Sequence, residues 1–222
     1  MLQTLLWSCP ICNVEDTLSH KPRKLRHDRI SCSECQSKWD LIRMVGGPDF
    51  TLRLLSNNGS NQEKPLAEWY DLILTKLELT PISHPSWPLD GGTKLDQEEN
   101  LFLQSKVEMG FTSHDNPGFK RLDLPGNTGG PMGLVPIGPG HLYLTSRQMI
   151  FKLADNRIIA SLWENLRSVD TLIDRFFIIG FGEYSYSFVL NGQSVLKWLT
   201  YTRLLIKQYG LENNHPIYQG NL

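Results

Sequence analysis

The residues with the most specific chemistry are four cysteines, all of which lie within the first 35 positions of a chain of 222 residues. They form two Cys-x-x-Cys pairs with nineteen residues between the pairs. Two residues between thiolates allow one tight turn to direct both sulfurs at a single ion, and two such turns complete the tetrahedral shell that Zn²⁺ prefers. Four thiolates also leave no open coordination position, which favours a structural over a catalytic metal. The spacing therefore predicts a structural Zn²⁺ site whose ligands are Cys9, Cys12, Cys32 and Cys35.

Two disulfide bonds, or a redox-active Cys-x-x-Cys pair, are the alternative interpretations of these cysteines. The sequence does not open on a basic stretch followed by an apolar run of signal-peptide length, which disfavours secretion and therefore disulfides. The presence of two pairs at this spacing disfavours a redox motif. His20 and His27 lie between the pairs and could replace a ligand, but we expect ordinary loop residues. The segment resembles a zinc ribbon, which implies bound zinc and no particular activity.

A run of basic residues lies between the two cysteine pairs. One interpretation is contact with the phosphate groups of nucleic acid or lipid. The other is a solvated hairpin tip that keeps a small domain soluble, and it is favoured because no aromatic residue is interleaved to stack on a base. The run consists of Lys21, Arg23, Lys24, Arg26 and Arg29.

The net charge is close to zero, with 22 basic and 23 acidic side chains, but the charges are unevenly distributed. Residues 1–55 carry a net charge of +2, residues 56–100 of −5 and residues 101–222 of +2. No part is basic enough to bind nucleic acid by bulk charge alone. The mean hydropathy is −0.28, and no apolar run approaches the roughly 18 residues of a membrane-spanning helix. We therefore expect a cytoplasmic protein, with peripheral association to a membrane as an option.

The connector after the cysteines is predicted to contain one helix. Residues 56–64 have the composition of a flexible loop. Beyond them, apolar residues recur at helical spacing and predict a helix over 65–79, which ends before Pro81. We expect this helix to pack on a neighbouring domain, with Trp69 and Tyr70 in the core or at the interface. Docking in the groove of a partner is the alternative.

The rest of the chain is predicted to form short antiparallel strands followed by an amphipathic helix. Turn residues such as Asp155-Asn156 separate apolar segments, and helical spacing over 193–209 predicts a helix capped by Gly210. A glycine- and proline-rich stretch over 113–140 predicts a long loop. The fold class is therefore mostly β, a barrel or orthogonal sandwich capped by a C-terminal amphipathic helix. The predicted strands cover 101–112, 140–145, 148–153, 157–163, 166–172, 175–182 and 184–190.

One predicted hairpin carries a family signature. Residues 140–151 read GHLYLTSRQMIF, which resembles the G-x-L-x-L-T-x-x-x-h-x-F signature of GRAM domains, members of the pleckstrin-homology superfamily. The resemblance covers about residues 98–210. As a tight hairpin, the stretch would direct four apolar side chains into the barrel, namely Leu142, Leu144, Ile150 and Phe151.

The resemblance also implies where a lipid-binding site would lie. Pleckstrin-homology domains that bind phosphoinositides use basic residues around the loop that joins their first two strands. This sequence offers Lys106, Lys120 and Arg121 in that region. Three cations are a weak signal, and fold alone does not decide function, because many domains of the superfamily bind proteins instead.

The sequence holds none of the nucleophile, metalloprotease or phosphate-loop motifs that indicate an enzyme, so we expect neither catalysis nor a small-molecule substrate. The expected role is an adaptor or assembly subunit that binds a protein partner through both modules. Anionic-lipid binding and nucleic-acid binding through the zinc ribbon are the alternatives. The predicted organisation is a zinc ribbon at 1–55, an acidic linker at 56–97, a GRAM/pleckstrin-homology-like domain at 98–212 and a tail at 213–222.

Overall fold

The chain divides into two compact units, Met1–Glu78 and Leu79–Leu222. Among the residues described below, each unit contains one antiparallel sheet and one α-helix, which confirms the prediction of a mostly β fold with a C-terminal helix. The computed structural model describes residues 6–24, 27–43, 50–55, 62–83, 95, 98–113, 135–172, 176–181 and 184–213.

The first unit is a five-stranded sheet in which the strands follow chain order, β1-β2-β3-β4-β5. Helix α1 (Leu66–Lys76) follows the last strand and contacts β4 and β5. The strands are β1 (Leu18–Lys21), β2 (Asp28–Cys32), β3 (Lys38–Arg43), β4 (Phe50–Leu55) and β5 (Gln62–Pro65).

Helix α1 packs on this sheet through two tryptophans. Trp69 and Ile73 are the buried residues of the helix, and Trp69 meets Trp39 of β3 edge to face at 6.2 Å between ring centroids. The indole N–H of Trp69 donates to the carbonyl of Leu52 at 3.1 Å, so its one polar group is satisfied inside the core. The helix predicted over 65–79 is shorter, at 66–76, and it belongs to the first unit.

Strand β5 corrects the prediction of a loop over 56–64. Residues 62–65 pair with β4, and the Arg53 guanidinium binds the Glu63 carboxylate at 2.7 Å across the two strands. Residues 62–65 carry no strand signal because β5 is a polar edge strand with no apolar alternation. Pro65 is tolerated because an edge strand has one side without a partner.

The second unit is a seven-stranded sheet in the order β10-β11-β12-β6-β7-β8-β9. Two meanders, β6 to β9 and β10 to β12, are joined where the last strand pairs with the first. Helix α2 (Val195–Asn213) then contacts β10 and β11. The strands are β6 (Leu101–Ser113), β7 (Val135–Thr145), β8 (Gln148–Leu153), β9 (Ile158–Leu162), β10 (Leu166–Leu172), β11 (Phe176–Phe181) and β12 (Tyr184–Leu190), with a 3-10 turn at Trp163–Asn165.

This second sheet curls over its own core. In a flat sheet, three strand spacings would separate β8 from β12 by roughly 14 Å. Instead, the rings of Phe151 on β8 and Phe188 on β12 lie 5.8 Å apart. Phe177 of β11 bridges Phe188 to Trp198 of α2, with centroid separations of 6.2 and 6.0 Å. The helix therefore closes a core that the curled sheet encloses, as a helix-capped sandwich requires.

The β7–β8 hairpin is buried on both faces, which corrects one predicted orientation. Leu142 pairs with Phe151, whereas Ile150 pairs with Tyr143 and so lies on the opposite face. There Ile150 clusters with Leu101 and Tyr143, against which Ile82, Leu95 and Ile158 pack. The prediction that Ile150 faces the same interior as Phe151 was wrong because successive residues of a strand point to opposite faces. The segment before β6 supplies the cover that keeps Ile150 buried.

The end of α2 and the long loop also differ from prediction. Helix α2 continues past Gly210 to Asn213, and the Gln208 side chain donates to Glu212 in this last turn. Ser194 begins the helix, since its hydroxyl accepts from the backbone N–H of Lys197 at 3.2 Å. The predicted loop over 113–140 ends earlier, because β7 begins at Val135, and residues 114–134 lie outside the described part of the chain.

Candidate metal centre and charged surfaces

The four predicted cysteine ligands come together in the first unit. Two tight turns position them, one between Ser8 and Glu15, which form an isolated bridge, and one between β2 and β3. The residue that follows the second cysteine of each turn has a positive φ, 61° at Asn13 and 59° at Gln36. This left-handed residue reverses the chain tightly enough for both cysteines of a pair to face one point.

The sulfur positions fit a tetrahedral metal. A tetrahedron with metal–sulfur bonds of about 2.3 Å separates its sulfurs by about 3.8 Å. The Sγ atoms of Cys9 and Cys35 lie 3.6 Å apart, and those of Cys12 and Cys32 lie 3.7 Å apart. All four ligand atoms lie within 4.8 Å of one another, and all four thiols are free. A soft, all-sulfur donor set of this size suits a thiophilic ion.

The surroundings of the sulfurs differ from one cysteine to the next. Burial raises the pKa of the Cys9 and Cys12 thiols against the effect of nearby backbone N–H groups. Burial also raises the pKa of the Cys35 thiol, but hydrogen bonds outweigh this effect and lower the pKa to about 6. The largest of them come from the hydroxyl and backbone N–H of Ser37, followed by those with the Cys9 and Cys12 thiols. The Thr17 hydroxyl lies 3.3 Å from the Cys32 sulfur. That hydroxyl donates to the carbonyl of Val14 at 2.9 Å, so the sulfur of the second pair that a hydroxyl supports is that of Cys35, a feature that spacing alone did not reveal.

Helix α1 is fastened to the first cysteine turn. The Asn13 side chain donates to the backbone carbonyl of Lys76 at 2.9 Å. In return, the Lys76 ammonium donates to the carbonyl of Pro10 at 2.9 Å. The last turn of the helix and the first half of the metal centre thus hold each other by two reciprocal hydrogen bonds.

The basic run between the cysteine pairs is partly neutralised within the first unit. Arg29 donates to the Asp40 carboxylate through both Nε and a terminal nitrogen, at 3.1 and 3.0 Å, and Arg23 lies 3.8 Å from the same carboxylate. His20 pairs with Asp28 at 3.1 Å. The backbone N–H of Arg23, and then His20, lower the pKa of Asp28.

These pairs favour the interpretation of the run as a charged surface that stabilises its own hairpin. Lys21 and Lys24 are exposed. Three of the predicted basic contacts, Arg26, Lys120 and Arg121, lie outside the described residues.

A second basic surface was only partly predicted. Lys106 of β6 pairs with His141 of β7, and His141 in turn pairs with Lys152 of β8. The three side chains therefore lie side by side across three strands, beside Glu108 on the same face of β6. Burial, followed by the positive charges of Lys106 and Lys152, lowers the pKa of His141. The sequence analysis identified Lys106 as a candidate contact, but it did not identify His141 and Lys152. Strand register brings these two residues beside Lys106, and register cannot be read from the sequence.

Several large apolar side chains are exposed. Ile11 and Val14, which flank Cys12 in the first metal-binding turn, are each 43% exposed. In the second unit, Leu162 at the end of β9 and Tyr184 at the start of β12 are 43% and 46% exposed. Exposed apolar side chains are candidates for contact with a protein partner where they lie in one continuous patch.

No helix among the described residues is both long enough and apolar enough to cross a membrane. Comparison with known proteins gives no match, whether to a family model, to a curated protein sequence or to a solved structure.

Proposed function

We propose that this chain is a non-catalytic adaptor in which a zinc ribbon and a GRAM/pleckstrin-homology-like domain bind a protein partner. The observation that carries the proposal is the apolar pair Ile11 and Val14, which the cysteine turn holds in exposed positions. Thiolates require a reducing environment, which agrees with a cytoplasmic location. Nucleic-acid binding has less support, because Asp28 and Asp40 engage part of the basic run.

Zinc is the metal that best suits the four sulfurs. It accepts four thiolates in a closed tetrahedron, and the sulfur separations of 3.6 and 3.7 Å match that geometry. Elemental analysis of protein purified under reducing conditions should find one zinc per chain. Cys9→Ser should lose the metal, whereas Ser33→Ala, a change within the second turn that keeps all ligands, should retain it. Wild-type protein without metal would refute this part of the proposal.

The topology supports the GRAM/pleckstrin-homology-like assignment of the second unit. A four-strand meander, a three-strand meander and a C-terminal helix follow one another along the chain. The pairing of β12 with β6 and the helix contacts with β10 and β11 agree with the arrangement that the signature at 140–151 implies.

The protein partner is tested by substitution at the apolar pair. Tagged wild-type protein, cross-linked and purified from its own cells, should retain a stoichiometric partner. Ile11→Ser combined with Val14→Ser should lose that partner while keeping its metal. Leu211→Ser, at a side chain 76% exposed on α2, is the control and should retain the partner. A wild-type monomer with no stoichiometric partner would contradict the proposal.

A second candidate function is binding of anionic lipid through the row of Lys106, His141 and Lys152. Lys106 and Lys152 flank His141 on one face of the sheet, so two ammonium groups on alternate strands offer positive charge to one anionic headgroup. Because the row lies on the first three strands of the second unit, it also extends the basic region that the family resemblance suggested around Lys106.

Co-sedimentation with vesicles tests the lipid function. Wild-type protein should bind phosphatidylserine vesicles and not phosphatidylcholine vesicles, and salt should weaken the binding. Lys106→Gln combined with Lys152→Gln should reduce binding about 30-fold, because each basic residue near an anionic surface contributes about 1 kcal/mol. Lys207→Gln, on the exposed side of α2, is the matched control. Equal binding to both kinds of vesicle would rule out this function.

A further inference from the structure

The two cysteine turns share a left-handed residue after the second cysteine and one matching backbone hydrogen bond. In the first turn, the backbone N–H of Cys9 donates to the carbonyl of Val14 at 3.1 Å. In the second, the backbone N–H of Cys32 donates to the carbonyl of Ser37 at 3.0 Å. Each bond spans five residues, and each acceptor lies two positions after the second cysteine of its pair. Val14 and Ser37 therefore occupy the same place in the two halves of the metal centre.

These equivalent residues offer different donors to the neighbouring sulfur. The Ser37 hydroxyl lies 3.1 Å from the Cys35 sulfur, and its backbone N–H points at the same atom. Val14 has no hydroxyl, so it offers Cys12 only its backbone N–H. Within the described part of the chain, Cys12 thus lacks the hydroxyl contact that supports Cys35.

Cys12 and Cys35 also differ from the other two cysteines in solvent exposure. Cys9 and Cys32 are buried, with exposed fractions of 0% and 2%, whereas Cys12 and Cys35 are partly exposed. Reagents from solution therefore reach Cys12 and Cys35 first. Between these two, a hydrogen bond to a metal-bound thiolate draws electron density from the sulfur and lowers its nucleophilicity.

We propose that Cys12 is the modification site of the metal centre, at which soft carbon electrophiles attack and release the metal. The inference rests on the proposed zinc site. With a maleimide, the Cys12 sulfur forms a bond to an alkene carbon, the alkene π electrons move toward the adjacent carbonyl, and the resulting enolate takes a proton from water. The product is a neutral thioether, a weaker ligand than a thiolate, so the ion loses its fourth strong bond.

Limited alkylation of the zinc-loaded full-length chain tests this order. The protein is first analysed for bound zinc and then treated with less than one equivalent of N-ethylmaleimide. Peptide mass spectrometry should find Cys12 modified several-fold faster than Cys35. A chromogenic chelator should report zinc release at the same rate as Cys12 modification.

Exchange of the two equivalent residues makes the test specific. Val14→Ser should slow the modification of Cys12, Ser37→Val should accelerate that of Cys35, and the double exchange should reverse the order. Ser37→Ala is a smaller change with the same expected direction. Ser33→Ala changes an exposed side chain of the second turn and is the matched control, because the preferred site should remain Cys12.

The outcomes distinguish this inference from the zinc proposal. Protein that holds no zinc before alkylation refutes the zinc site and the inference with it. Zinc-loaded protein that is modified first at Cys35, or an order that the exchange leaves unchanged, overturns the inference alone. Modification first at Cys12, with reversal in the double exchange, supports it.

Discussion

Thr145 shows how a single side chain can organise a turn. Its hydroxyl donates to the buried Glu99 carboxylate and accepts from the backbone N–H of Gln148 at 3.0 Å. Its carbonyl accepts from the indole N–H of Trp163 at 3.2 Å. One residue thus joins the β7–β8 hairpin to the segment before β6 and to the 3-10 turn. The family signature has a threonine at this position, and these hydrogen bonds explain why the position needs a hydroxyl group.

Thr145→Val should destabilise the second unit by about 1–3 kcal/mol, because the isosteric change leaves a buried carboxylate with one fewer donor. Chemical denaturation followed by hydrogen exchange of residues 101–213 measures the loss. Thr171→Val, at a partly exposed position on the edge strand β10, should change stability by less than about 0.5 kcal/mol. Equal effects of the two changes would show that the Thr145 hydroxyl contributes nothing specific.

At the scale of elements, helix α1 is an integral part of the first unit. Its buried face packs on β3 and β4 through Trp69, and its last turn exchanges hydrogen bonds with the first cysteine turn. The helix therefore links the apolar core of the unit to the metal centre. The sequence could identify the helix by its period, but the attachment of its last turn to the first cysteine turn depends on residues more than 60 positions away.

Asn13→Gly should loosen the last turn of α1. Glycine adopts the positive φ of this position without strain, so the change removes little except the bond to Lys76. A loss of about 1 kcal/mol corresponds to roughly five-fold faster amide exchange in the peptide that covers residues 66–77. Gln36→Gly, at the equivalent position of the second turn, should leave that peptide unchanged. Equal acceleration by both changes would show that the helix is not held through Asn13.

At the scale of the whole molecule, the two units differ in the size of their apolar cores. A unit of about 80 residues buries a modest core, and domains of this size commonly need a metal or disulfides. The second unit has a larger core, in which aromatic rings from β8, β11, β12 and α2 meet. The metal should therefore matter for one unit and not for the other.

Removal of the metal should unfold the first unit alone. With a zinc chelator and a reductant, amides of residues 6–76 should lose protection from hydrogen exchange, since metal binding and folding of such sites are coupled. Amides of residues 101–213 should keep theirs. Loss of protection in both units would show that the second depends on the first, and unchanged protection in both would show that the metal does not stabilise the fold.

The sequence by itself was enough to predict that the four cysteines would come together, and to predict most of the strands and helices. Short local turns set the direction of the sulfurs, and burial on one face sets the period of an element, so both leave a pattern in consecutive residues. The tertiary structure alone decided the polar edge strand β5, the segment that covers Ile150, the row formed by Lys106, His141 and Lys152, and the hydroxyl beside Cys35. Strand register and side-chain contacts place these groups, and neither leaves a periodic signal in the sequence.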